Sequence, residues 1–196
     1  MATNQPRTVG LNDLGQLTIR ANVVFAVRCA QRIRPCFQLP PDAPHRREQM
    51  ATIDAAIRLA ARFCQGLPAE PGRAVAAAQA AAVVAEATYE FTNFAAFAAV
   101  RAAEAAAHAE EFRKHPGDSG SMAVVAAAFG AARVLAANAD MFALPTVTDA
   151  LYADVQKLLN LANDAGDDVI GPAVDPSENG PLGPLWPAGP PACFGG

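Results

Sequence analysis

Hydrophobic residues recur along this chain at spacings of three and four rather than two, the period of helices packed on a core. Between residues 12 and 34, Leu14, Leu17, Ala21 and Val24 line up with Ile19, Val23, Ala26, Ala30 and Ile33, and Pro35 ends the pattern. A second helix is expected to start near Asp42 as N-cap, with Pro44 early in its first turn, and to end at Gln65–Gly66. Its inner positions are Met50, Ile53, Ile57, Ala60 and Cys64, and Asp54–Arg58 form an i,i+4 pair on its outer side.

Residues 74–112 are dominated by alanine. Placed at 100° per residue, Gln79, Glu86, Glu90, Asn93, Arg101, Glu104, His108 and Glu111 fall within about 40° of one line. A thin polar stripe on an apolar cylinder describes a helix with neighbours on several sides. The stripe keeps its phase, which predicts one long central helix with a kink near Thr88–Asn93. A further helix, apolar nearly all round, follows the caps Ser119 or Ser121, with Gly130 marking a close crossing. After Pro145, Thr146–Asp149 resembles a capping box that opens a last helix carrying Leu151, Val155, Leu158 and Ala162 inward.

Composition changes the picture at the C-terminal end. Residues 171–196 hold seven Pro and six Gly, which no regular element tolerates. They also carry Leu182, Leu185, Trp186 and Phe194, and a disordered linker would not need these. The expectation is an all-α, single-domain bundle of five or six helices over residues 1–170. An irregular tail, 171–196, is docked on it through Trp186, Leu185 and Phe194.

Charge is uneven. Residues 1–65 contain nine arginines against four acids, and with an overall net charge of −4 the remainder carries nine surplus negative charges. A net acidic chain speaks against nucleic-acid binding. Glu86, Glu90, Arg101 and Glu104 interrupt every apolar window of the alanine-rich segment, which speaks against its spanning a membrane. The four cysteines show neither zinc spacing nor a disulfide framework, and the N-terminus has no secretory pattern, so a cytoplasmic location is expected.

Candidate chemistry is sparse. Glu104, His108, Glu111 and His115 share a helix face, where they could ligate a metal or simply form a solvated surface. The reading preferred here is the solvated surface, with no cofactor. Arg28, Arg32, Arg46, Arg47, Arg58 and Arg62 could form a basic patch; the more ordinary outcome is a solvated face, or pairing with acids on neighbouring helices. No nucleophile–base arrangement or phosphate loop emerges, so a non-enzymatic protein is expected.

The stretch FAVRCAQRIRPCFQL, followed by HRREQMATIDAAIRLAARFCQG, resembles an all-helical family of immunity proteins of bacterial polymorphic toxin systems. The matching positions are Cys29-Ala30-Gln31-Arg32, Pro35 with Phe37, Arg46-Arg47 and Ile53-Asp54-Ala55-Ala56. Gln31 departs from the acid and Phe63 from the Trp common at those places, and histidines expected in the later helices are mostly absent. The resemblance implies neutralisation of a cognate toxin by direct binding. An acidic C-terminal half suits a basic partner, and Glu86, Glu90, Glu104, Glu111, Asp164, Asp167 and Asp168 are the expected contacts. The rival expectation is a scaffolding bundle that self-associates or binds another protein through exposed apolar surface such as Phe97.

Overall fold

The computed structural model describes residues 8–67, 72–88, 93–141, 146–164 and 168–191. It is all-helical. In chain order the α-helices are α1 (Leu11–Leu14), α2 (Ile19–Ile33), α3 (Arg46–Cys64), α4 (Arg73–Ala87), α5 (Asn93–Lys114), α6 (Asp118–Met141) and α7 (Thr146–Asp164), with a 3-10 turn at Arg34–Cys36. Residues 168–191 form no helix or strand.

The periodic stretch of residues 12–34 is two elements. Gly15 closes α1, and Thr18 caps α2 by accepting from the Ala21 N–H at 3.3 Å. The buried Asn22 amide holds this corner, donating to the Leu14, Leu17 and Thr18 carbonyls at 3.1–3.3 Å. Helix α3 starts at Arg46, later than the Asp42 cap predicts. Asp42 is exposed, and His45 precedes the helix in a left-handed conformation (φ 58°). Asp54 pairs with Arg34 across to the end of α2, at 2.5 and 3.0 Å, and not with Arg58.

The single long helix, kinked near Thr88–Asn93, expected over residues 74–112 is corrected to two, and among the described residues the α-helices number seven where five or six are expected. Thr88 adopts an extended conformation (φ −101°, ψ 153°) that ends α4. Residues 88–92 are Thr, Tyr, Glu, Phe and Thr, of which four are β-branched or aromatic and poor at prolonging a helix. An unbroken helix of that length would run roughly 60 Å with most of its apolar surface in water. Folding back lets α4 and α5 bury one another.

Helix α2 is the innermost. Thirteen of its fifteen residues are buried, and α3, α5, α6 and α7 all pack around it. Helix α5 lies among α2, α3, α4 and α6, with Ala96, Ala98, Ala99, Ala102, Ala103 and Ala105 fully enclosed. Alanine permits this because its small side chain lets neighbouring helices approach closely. Helix α6 includes a segment, Ser119–Asn138, long and apolar enough by length and composition to cross a membrane (mean hydropathy 1.6). In the fold it packs on α5 and α2.

Gly130 of α6 lies beneath Arg101 of α5, where an added Cβ would sit 3.0 Å from Arg101 Cδ. That atom belongs to a flexible, half-exposed side chain that can shift. Gly130→Ala is therefore expected to leave the fold intact and to stabilise it by up to about 1 kcal/mol through helix propensity. Urea unfolding monitored by circular dichroism measures this.

Candidate functional site

The polar chemistry of this molecule is concentrated along one side of α2. Arg20, Arg28 and Arg32 lie within an arc of about 120° on that helix, since spacings of eight and four residues advance it by about 80° and 40°. The C-terminal strap, residues 168–191, runs over them. At its start, the Ile19 and Arg20 N–H groups donate to the Val169 and Ile170 carbonyls at 3.0 and 2.8 Å, and the Arg20 side chain donates to the Gly171 carbonyl. The strap thereby satisfies N–H groups that the first turn of a helix leaves without intrahelical partners.

Further along, Arg28 is enclosed and saturated. Its Nε donates to Asp154 Oδ2 at 2.8 Å, Nη1 to the Pro176 and Gly183 carbonyls at 3.1 and 3.0 Å, and Nη2 to the Pro184 carbonyl at 3.0 Å. Arg32 Nε donates to the Leu185 carbonyl at 2.8 Å, while its Nη1 lies 2.7 Å from Asp154 Oδ2. Both arginine side chains are 0% exposed and Asp154 is 3% exposed. Lys157 of α7 donates to the Leu182 carbonyl at 2.5 Å. The Arg32 guanidinium stands 5.7 Å from the centre of the Trp186 ring, within cation–π range. Leu182, Val174 and Trp186 are buried, so the strap contributes apolar surface as well as carbonyls.

Two guanidinium groups share one carboxylate in a region without solvent, leaving an excess positive charge. The strap carbonyls and the indole face balance it. Every Arg28 nitrogen has a hydrogen-bond partner, whereas Arg32 Nη2 and Arg20 Nε are buried without one; the arrangement positions chain segments. Within the strap, Asp175 accepts from the Ser177 N–H at 3.0 Å and from the Gln65 amide at 3.4 Å. These bonds, the Ser177 N–H foremost, hold its carboxyl below the ordinary aspartate range. Their contribution to stability is present above the unfolded pKa and is lost as pH falls through the folded one.

The sequence-derived residues fall in several places. Trp186 is 7% exposed and Leu185 is half-buried. Glu86 is exposed on α4. Glu104 is half-buried on α5 and pairs with Arg101 at 2.7 Å, while Glu111 is exposed with His115 at 3.8 Å. Asp168 is exposed at the start of the strap, where it accepts from the Ile170 N–H at 3.0 Å. Glu90, Asp167 and Phe194 lie outside the described residues, as does the side chain of Asp164. Glu86 lies on α4 and Glu104 and Glu111 on α5, so the acids drawn as one stripe are divided between two helices that pack on each other.

Among the described residues no group of three His, Cys, Asp or Glu is placed to hold a metal ion. Of the six arginines read as one patch, Arg28 and Arg32 are buried under the strap, and Arg46 donates to the Leu39 carbonyl at 2.9 Å. Arg47, Arg58 and Arg62 are exposed. Sequence reasoning missed Asp154 and the structural use of Arg28 and Arg32.

Cys29 sits one residue from Arg28, fully buried, and burial pushes its thiol up to about 12; burial also raises the Cys64 thiol. Neither is expected to react with a thiolate-selective reagent at pH 8 while the chain is folded, and both should label at the rate of global unfolding. Mass-spectrometric mapping of the modified cysteines checks this.

Comparison with family models, with curated proteins and with solved structures returned no match to this chain.

Proposed function

We propose that this chain is a non-enzymatic binding protein that neutralises a cognate toxin by direct contact, as an immunity protein of a bacterial polymorphic toxin system does, and that it works in the cytoplasm. The observation that carries the reading is how the interior polar groups are employed. Arg28, Arg32, Asp154 and Lys157 hold the strap to the bundle, and acidic side chains remain at the surface on α4, α5 and the strap. The motif that bears the family resemblance lies at the same junction. Arg32 holds the strap, and Cys29, Ala30 and Phe37 are fully enclosed. These four residues therefore serve architecture, and partner contact falls to the outer acids Glu86, Glu104, Glu111 and Asp168. Asp164, Asp167 and Glu90 are carried as contacts by sequence position alone. A basic toxin suits these acids, because opposite charge speeds encounter.

Co-expression with the product of an adjacent toxin gene tests this. Rescue of growth, lost when Glu86, Glu104, Glu111 and Asp168 are changed together to lysine, is the expected result. Growth arrest that the wild-type chain does not relieve would reject the reading.

A second reading, a scaffold that associates through apolar surface, has its own support. Helix α4 turns Val75 (48% exposed) and Val83 (67% exposed) outward, and Phe97 of α5 is 37% exposed. A mass from light scattering that stays monomeric at all concentrations would count against its self-associating form.

A further inference from the structure

Proline contributes a carbonyl to the chain but no N–H. The strap carries proline at 172, 176, 181, 184, 187, 190 and 191 within its described length. Such a segment has a surplus of hydrogen-bond acceptors and cannot pair as a strand in a sheet. Arginine is its complement, with five N–H donors and no acceptor. The match is realised here five times, at the carbonyls of Gly171, Pro176, Gly183, Pro184 and Leu185 held by side chains of Arg20, Arg28 and Arg32, and Lys157 adds the Leu182 carbonyl. Specificity beyond the backbone comes from Leu182, fully buried, and from Trp186 beside Arg32.

The receptor side of these contacts belongs to α2 and α7, and none of it depends on the strap being covalently joined to the bundle. Asp154 orients both Arg28 and Arg32 from α7, so the donors stay aimed whichever strand lies over them. We infer that the arginine face of α2 is a docking site for a proline- and glycine-rich strand, filled in cis by residues 169–185 and able to take the strap of a second copy. The occupant is fixed by complementarity: the strap of this chain already fits these donors and apolar seats. In cis it enjoys an effective concentration in the millimolar range or above. Occupancy in trans therefore requires the cis strap to be weakened.

The chain contains a single tryptophan, Trp186, which makes the test direct. The full-length double variant Leu182→Ala/Trp186→Ala has a weakened strap and no tryptophan emission. A synthetic peptide of residues 168–191 then carries the only indole in the sample. The expected result is a saturable blue shift of the peptide's emission on titration with the variant, which retains its helical circular dichroism. Adding Arg28→Gln to the variant should weaken peptide affinity at least tenfold, and a peptide carrying Leu182→Ala should bind at least tenfold more weakly. Emission that stays at its value in water, or binding indifferent to Arg28→Gln, would overturn the inference. Should the double variant lose its helical signal, Leu182→Ala/Trp186→Phe replaces it. That variant is equally free of tryptophan, keeps an aromatic ring and still has a weakened cis strap; no shift there rejects the site as well.

Discussion

Asp154→Ala is expected to destabilise the protein by about 3–5 kcal/mol, the range for removing one partner of a buried ion pair. The loss does not come from the attraction alone. Arg28 and Arg32 remain after the substitution, both with fully enclosed side chains. Two positive charges would then face each other across the space the carboxylate occupied, with only carbonyl dipoles and an indole ring to offset them. Asp154→Asn keeps the size and one acceptor oxygen but not the charge, so its cost should be smaller and of the same sign. The pair Arg34–Asp54 supplies the control. Its distances are as short, 2.5 and 3.0 Å, but Asp54 is 38% exposed. Water replaces what is lost there, and Asp54→Ala should cost no more than about 1 kcal/mol. Urea unfolding of the three variants gives the ordering. Equal costs for Asp154→Ala and Asp54→Ala would mean that the buried cluster is solvated in solution.

This contrast shows where the sequence was legible. Three- and four-residue spacing places α3 and α7 and identifies inner positions such as Ile53, Ala60, Val155 and Leu158, all buried. The same reasoning leaves Arg28 and Arg32 as either a solvated face or partners of unnamed acids on neighbouring helices, because a lone helix with arginine on one side of an apolar pattern resembles a surface helix. Their partner lies more than a hundred residues away, and no local pattern connects positions 28 and 154. One global signal was available: a proline-rich tail with surplus carbonyls and buried-type side chains must find donors, and the first 65 residues hold nine arginines. The long central helix failed for a different reason. Alanine marks helix without marking phase, so the polar line through residues 79–111 persists across a break. The composition of residues 88–92 carried the better information there. With the break, Glu86 stands on a different helix from Glu104 and Glu111.

Gly171→Ala should rank with Asp154→Ala among the most damaging single changes, although it adds one methyl group. The strap crosses the start of α2 at this residue. Gly171 has φ +84°, in the left-handed region where a residue with a Cβ is disfavoured by roughly 1–2 kcal/mol. The added Cβ would lie 2.2 Å from Thr18 Oγ1 and 2.7 Å from Thr18 Cβ, well inside contact distance. Thr18 cannot simply swing away, since its Oγ1 caps α2 through the Ala21 N–H. Nor can the strap shift without disturbing the Arg20 contact to the Gly171 carbonyl and the Ile19–Val169 and Arg20–Ile170 bonds beside it. Overpacking of this kind costs about 1–3 kcal/mol, so the two effects together should approach about 3–4 kcal/mol. A double-mutant cycle separates them. Thr18→Gly alone should cost only a few tenths of a kcal/mol, because glycine is a tolerable N-cap. In that background Gly171→Ala should cost at least about 1 kcal/mol less than in the wild type, since the backbone strain remains and the overlap is gone. Strictly additive costs would show that the strap yields freely at this crossing, and that the firm attachment of the tail begins only at Arg28.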